Sequence, residues 1–146
     1  MNIALWKIIT MEINETLAHL NWLAILIAAT STFLIGGLWY SIFEKPWIAE
    51  NNFTKEQLQQ RKLPLVFGLS FLFSLIMAFN LAMFIGTKAA ISYGLIAGFL
   101  TGFGWVFFSI AIISLFEKRS FKYILINGGY MTVAFTAMGA ILGAWH

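Results

Sequence analysis

The chain has 146 residues, of which 60% are hydrophobic and 10% are charged, and its mean hydropathy is +0.84. Ordinary soluble domains are about 45–50% apolar and about 25% charged, so the composition argues against a soluble domain and excludes a disordered chain. The sequence contains no cysteine and no aspartate, and its six acidic residues are all glutamate. Disulfide bonds, thiolate metal sites and cysteine nucleophiles are therefore excluded.

Four stretches of the chain are long and apolar enough to cross a bilayer, which takes about 20 apolar residues in a helix. Apart from Lys122 near the start of the fourth, they contain no Lys, Arg, Asp or Glu. The sequence therefore predicts an all-α integral membrane protein, a bundle of four transmembrane helices at about residues 22–43, 65–85, 92–116 and 121–145.

The basic residues predict an orientation. Seven of the nine Lys and Arg lie in or beside the loops 44–64 and 117–120, and the other two, Lys7 and Lys88, lie on the opposite side. Since cytoplasmic loops carry the excess of basic residues, we expect these two loops in the cytoplasm and both termini outside, which is the periplasmic side if the membrane is a bacterial inner membrane. Such charges set topology and attract anionic lipid, so the basic pI predicts membrane lipids as partners and no nucleic acid.

The chain divides into an N-terminal segment, residues 1–20, and a transmembrane domain, residues 21–146. In the first segment Ile3, Trp6 and Ile9 begin an apolar pattern at helical spacing, which predicts an amphipathic interfacial helix. The alternative is that Met11 is the natural start of the protein, and the sequence leaves the two open.

The loop 44–64 contains two local signals. Thr54 and Gln57 form a capping box, which predicts a short surface helix from Lys55 to about Lys62. Pro46-Trp47 predicts a turn with an interfacial anchor. Pro64 suits the first turn of the second span, where its missing N–H costs nothing.

Small residues recur at four-residue spacing on the third and fourth spans. Lipid gives helices no hydrophobic reason to associate, so residues that let backbones approach closely define their packing faces. Two such stripes on the fourth span predict contacts on two sides, one within the fold and one in a homo-oligomer. The predicted helix-packing residues are Gly94, Gly98, Gly102, Gly139 and Gly143.

Polar groups in the predicted membrane core are few, and none is ionisable, so no catalytic residue, metal site or cofactor is predicted. Most of these polar groups lie in the cytoplasmic half of the bundle. They surround paired glycines, which allow either a close approach of another helix or a local break of their own helix. We therefore predict a small-molecule pocket there, and the alternative is that Asn127 only joins helices by a hydrogen bond. The pocket residues are Gly36, Gly37, Tyr40, Ser70, Ser109, Asn127 and Tyr130.

Several short elements resemble a known family. Residues 21–24, 36–41 and 46–47 (NWLA, GGLWYS and PW) are similar to the opening of the bacterial and fungal membrane family called domain of unknown function 1761. Residues 116–119, 126–130 and 138–145 (FEKR, INGGY and MGAILGAW) are similar to its last span. The resemblance covers about residues 21–146. It implies a small integral membrane protein with four helices, and it transfers no catalytic residue because the family has no established activity.

Three functions remain open from the sequence. The first is a homo-oligomer that binds or passes a small, weakly charged solute or a lipid, and the unknown small-molecule ligand would occupy the predicted pocket. The second is an accessory membrane subunit without chemistry of its own, which would explain the absence of ionisable residues from the membrane core. The third is a small membrane enzyme acting on lipophilic substrates, for which the chain supplies basic residues but no evident nucleophile or acid–base pair.

Overall fold

The computed structural model describes residues 17–86 and 90–145, and before residue 17 only the positions 3, 10, 11, 14 and 15. Most of the predicted N-terminal amphipathic segment, and Lys88 of the second loop, lie outside the described residues. Within the described part the regular structure is helical. The helices are α1 (Trp22–Ile42), α2 (Glu44–Asn51), α3 (Lys55–Gln59), α4 (Leu63–Ile85), α5 (Ile91–Phe116) and α6 (Phe121–Ala144).

Four of the described helices, α1, α4, α5 and α6, are long and apolar enough to cross a membrane. Their bounds differ from those predicted by at most two residues, because uninterrupted apolar runs of this length leave a helix as the one way to satisfy the backbone in lipid. The predicted all-α class is confirmed, and so are four long apolar helices at the predicted positions.

Side chains and turn residues mark the ends of the long helices. The Asn21 Oδ1 accepts a hydrogen bond from the Ala24 N–H at 3.0 Å and caps α1. The Ser120 Oγ caps α6 in the same way, accepting from the Tyr123 N–H at 3.0 Å. Pro64 lies in the first turn of α4, as predicted, and Gly86 ends that helix with a φ of 72°, a value that glycine adopts without strain.

The loop between α1 and α4 is more helical than predicted. The turn predicted at Pro46-Trp47 is wrong, because both residues belong to α2. Proline in the first turn of a helix leaves no bond unmade, so it does not break this one. The predicted capping box is confirmed, with the Thr54 Oγ1 accepting from the Gln57 N–H at 3.3 Å and the Gln57 Oε1 accepting from the Thr54 N–H at 3.0 Å. Helix α3 ends at Gln59, three residues earlier than predicted.

Helix α6 contacts each of the other three long helices, and α4 packs beside α1. The two ends of this bundle differ. At the terminal end, where Trp22 and Trp145 lie, the helices meet in a tightly packed core. This core consists mainly of small side chains from α1 and α4 closed over larger ones from α6: Ala24, Ala28, Ala29, Ala78, Ala82, Phe135, Met138 and Leu142. The opposite end, where the connections after α1 and α5 lie, is called the loop end below.

Helices α5 and α6 approach one another through glycine. A Cβ added to Gly94 would lie 2.9 Å from the Gly143 Cα, and one added to Gly139 would lie 3.0 Å from the Gly98 Cα. One added to Gly102 would lie 2.8 Å from the Cα of a threonine on α6. All five predicted packing glycines therefore lie at this contact, with backbone directly against backbone.

The middle of α5, Leu100–Phe107, is π-helical, and the parts on either side are α-helical. The wider turn brings the Phe107 ring against Gly128 of α6, where a Cβ would lie 2.9 Å from the Phe107 Cε2. The sequence had instead left open a break at the paired glycines of α1 and α6. Both of those helices are continuous, and three of the four glycines, Gly36, Gly128 and Gly129, accommodate aromatic rings.

Candidate functional site

A cavity of about 430 Å³ lies in the loop-end half of the bundle, between α1, α4 and α6. Pockets for small molecules span about 300–1,000 Å³ and are mostly apolar with a few placed polar groups, and this cavity matches that description. Five of the seven residues predicted to form a pocket line it: Gly36, Gly37, Tyr40, Ser70 and Tyr130.

The other two predicted residues lie elsewhere. The Tyr40 hydroxyl donates to the Asn127 Oδ1 at 3.0 Å, so Asn127 sits behind the wall and positions Tyr40. The Asn127 Nδ2 donates in turn to the Tyr123 carbonyl at 2.9 Å. Ser109 is on an exposed face of α5, where its hydroxyl donates to the Trp105 carbonyl at 2.7 Å. The structure thus joins Asn127 to the cavity through Tyr40 and leaves Ser109 away from it.

Thr32 gives the cavity its most unusual polar group. The residue is 3% exposed, and its Oγ1 has no hydrogen-bond partner among the described residues. Hydroxyls elsewhere on α1 behave differently, because those of Thr30 and Ser41 donate to carbonyls of their own helix at 2.8 and 2.6 Å. Ser70 and Ser74, four residues apart on α4, add two further hydroxyls to the wall.

Aromatic rings seated on glycines hold the walls in place. The Tyr130 ring lies over Gly36, where a Cβ would be 3.3 Å from its Cε2, and its hydroxyl donates to the Thr32 carbonyl at 3.2 Å. The ring of Tyr40 is 5.2 Å from that of Tyr130, so the two phenols form one aromatic face. A methyl group at Gly36 would therefore displace the Tyr130 ring by a few tenths of an ångström.

Arg61 lies at the mouth of the cavity, just before α4 begins. Its guanidinium carbon lies 4.5 Å from the ring centre of Phe53 and 5.0 Å from that of Trp47. Guanidinium groups are attracted to aromatic faces at such distances, so the three side chains form one cover. None of the described residues that line the cavity is acidic, and the charge at its mouth is therefore positive.

The sequence reasoning missed Thr32, Ser74, Trp47 and Arg61. A usable signal was present on α1, because Thr32 and Gly36 are four residues apart and therefore share a face with Tyr40. As for metals, the described residues contain no group of three His, Asp or Glu that could act as ligands. What the site offers a ligand is a set of hydroxyls, two phenol rings and one guanidinium.

Residues 23–143 match the model of a family described as "Protein of unknown function (DUF1761)". The match covers most of the chain, so the protein belongs to this family, as the resemblance in its first and last spans predicted. Comparison with curated proteins and with solved structures returns no match.

Proposed function

We propose that the protein binds a small, weakly charged solute in the cavity between α1, α4 and α6. The observation that carries the proposal is the buried Thr32 hydroxyl without a partner. Leaving such a group unsatisfied costs about 1–3 kcal/mol, and in this proposal a solute that displaces the side chains covering the Thr32 Oγ1 removes this cost by accepting or donating a hydrogen bond. The proposal thus explains why a polar group is kept on this buried wall.

The lining indicates the class of solute. Phe33, Val66 and Phe67 are apolar, and the phenols of Tyr40 and Tyr130 offer flat faces. Such a surface suits a molecule with an apolar or aromatic body and a few hydrogen-bonding groups. The positive charge of the arginine at the mouth favours a neutral or singly anionic solute over a cation.

The packing supports binding from the loop end over passage through the bundle. At the terminal end Ala28, Ala29, Ala78 and Met138 are completely buried, and they close the path beyond Thr32. Passage would require α1, α4 and α6 to separate along this core. The proposal is therefore limited to solute binding, a step that both a receptor and a transport protein carry out.

In this proposal the loops 44–64 and 117–120 face the cytoplasm of a bacterium, and both termini face outward. The chain has no cysteine, so single cysteines introduced at Lys55 and Ser92 can report the topology. We expect a membrane-impermeant maleimide to label Ser92→Cys in intact cells and Lys55→Cys only after lysis. The reverse pattern would refute this orientation without affecting the cavity.

The proposal also includes a homo-oligomer. Gly68 on α4 and Gly104 on α5 have no atom within 4 Å of where a Cβ would be, so each presents a small residue on the outside of the bundle. Small residues at such positions allow another helix to approach closely. We expect light scattering on the purified protein to give a defined oligomer. A monomer would favour an accessory subunit whose partner is another protein.

The cavity is tested by removing one hydroxyl. Thr32→Val keeps the side-chain shape and removes the unpartnered Oγ1. Thr30→Val is the matched control, since it is the same change on the same helix at an exposed position. Each variant is released gently from its membrane, and the molecules it retains are identified by native mass spectrometry. A panel of neutral and monoanionic aromatic solutes is then tested by thermal shift.

We expect the wild type and Thr30→Val to retain or bind the same solutes. We expect Thr32→Val to bind them at least about fivefold more weakly, since a hydrogen bond contributes about 1 kcal/mol, while unfolding at the same or a higher temperature without ligand. Equal binding by all three proteins would refute the cavity as the binding site. A loss of folding in Thr32→Val alone would show that its hydroxyl is needed for structure instead.

A further inference from the structure

A second hollow lies on the outside of the bundle, away from the solute cavity. It is a groove of about 720 Å³ where the end of α1, helix α2 and the start of α6 meet. Its walls are mainly apolar and include Trp39, Phe43, Pro46 and Leu125. Because the groove lies where the long helices end, it spans the depth at which lipid acyl chains give way to head groups.

The apolar wall is held in a fixed position. The Trp39 indole N–H donates to the Ile126 carbonyl at 2.9 Å, across from α1 to α6. The Trp39 ring lies 4.9 Å from the Phe43 ring and also rests on Gly129, where a Cβ would be 3.0 Å from the Trp39 Cζ2. A surface that is already ordered loses little freedom when a ligand binds to it.

Two lysines, Lys45 and Lys122, line this groove. They come from different elements, Lys45 from α2 and Lys122 from the first turn of α6. The start of α6 adds the partial positive charge of a helix N-terminus. Lys122 has one modest competitor, because its Nζ lies 4.0 Å from the Glu50 Oε1 and both side chains are partly exposed.

We propose that this groove binds an anionic phospholipid, with the phosphate beside the Lys45 and Lys122 ammonium groups and an acyl chain along Phe43 and Leu125. Charge complementarity identifies the head group, and the apolar wall at membrane depth identifies the chain. The site is separate from the solute cavity and does not depend on its function. The bound lipid joins α1, α2 and α6 at the loop end of the bundle.

The test compares two double variants that remove the same charge. Lys45→Gln with Lys122→Gln alters the groove, whereas Lys55→Gln with Lys62→Gln removes two exposed lysines outside it. Each protein, in a nonionic detergent, is titrated with short-chain phosphatidylglycerol or phosphatidylcholine, and bound lipid is counted by native mass spectrometry. Circular dichroism confirms that both variants are folded.

We expect the groove variant to bind phosphatidylglycerol about 30-fold more weakly, because each lysine contributes about fivefold, the equivalent of about 1 kcal/mol. The control variant and phosphatidylcholine binding should change by less than about twofold. A Glu50→Gln variant should bind phosphatidylglycerol more tightly, since Lys122 loses its competitor.

Two results would overturn the proposal. An equal loss in both double variants would mean that the lipid responds to the net charge of this face instead of the groove. Displacement of the bound lipid by inorganic phosphate at a concentration equal to that of the lipid would mean that the lysines bind a free anion and that the apolar wall contributes nothing. Neither result bears on the proposed solute cavity, because the residues that line the cavity, Thr32 among them, do not line the groove.

Discussion

The glycine contact between α5 and α6 gives the sharpest prediction about stability. Gly94→Ala places a Cβ 2.9 Å from the Gly143 Cα and 3.0 Å from the Gly139 carbonyl carbon. The Gly139 carbonyl oxygen is nearer still, and ordinary contacts begin near 3.4 Å, so the two helices must move apart by more than about 0.5 Å. The groups in the way are backbone, and no side-chain rotation can relieve the clash.

The magnitude follows from two opposing effects. Overpacking of this kind costs about 1–3 kcal/mol. Replacing glycine by alanine inside a helix returns about 0.8–1.0 kcal/mol through backbone entropy. Within a single copy of the chain, Gly104→Ala and Gly68→Ala gain the second effect without the first, because neither added Cβ would meet an atom within 4 Å. The comparison is therefore made on monomer diluted in micelles, where contacts between copies do not contribute. Comparing Gly94→Ala with these controls therefore isolates the clash, and the variants should differ by about 1–3 kcal/mol.

The assay is reversible unfolding in mixed micelles, followed by circular dichroism as the share of denaturing detergent rises. We expect the wild type to lie between Gly104→Ala, which is as stable or more stable, and Gly94→Ala, which is less stable. If Gly94→Ala unfolds together with the two controls, the backbones of α5 and α6 do not touch at this point. The described packing of α5 would then be wrong.

Three further predictions concern single polar groups. Tyr40→Phe should destabilise the fold by about 0.6 kcal/mol, and by no more than about 1.7 kcal/mol, because the hydrogen bond from Tyr40 to Asn127 joins two helices. A double-mutant cycle with Asn127→Leu that shows no coupling energy would contradict this. Asn80→Leu should cost nothing in the same unfolding assay, since its amide bonds a carbonyl of its own helix. The Glu56 backbone N–H and the Thr54 hydroxyl hold the pKa of Glu56 below its usual range. The lowered pKa stabilises α3 fully above the usual glutamate pKa, and this stabilisation is lost as the pH falls through the lowered pKa. The protection factors of the α3 amides, which are corrected for the slower intrinsic exchange in acid, should therefore fall there and stay unchanged near neutral pH.

The sequence predicted the spans closely because one strong constraint decides them. An apolar run in lipid must satisfy its own backbone, and only a helix of sufficient length does so. The capping box at Thr54 was equally predictable, since its bonds join residues three positions apart. Pro46 was misread because proline is common both in turns and in the first turn of a helix, and the residues beside it do not decide between the two.

The site was predicted only in part, because a sequence gives the depth of a residue in the membrane more readily than the face it occupies. The sequence predicts Ser109 in the same half of the bundle as Tyr40, but its face of α5 turns away from the cavity. Thr32 lies about one turn deeper than Gly36 and was passed over, although it shares the face of Gly36 and Tyr40. The π-helical stretch of α5 also shifts every face beyond it, and local sequence gives no rule for that shift.

The cavity itself follows from a difference in side-chain size along α1. In the first two turns Ala24 and Ala28 are completely buried, so α1 can lie close to its neighbours at the terminal end. Two to three turns later large rings fill the same space, with Trp39 resting on α6 and Tyr130 reaching back to α1. At the terminal end the small alanine side chains let the helices pack closely. At the loop end the large rings hold the helices apart, so the space between the helices is not completely filled. The opening therefore forms at the loop end, on the face where Thr32 holds a hydroxyl that no described residue satisfies.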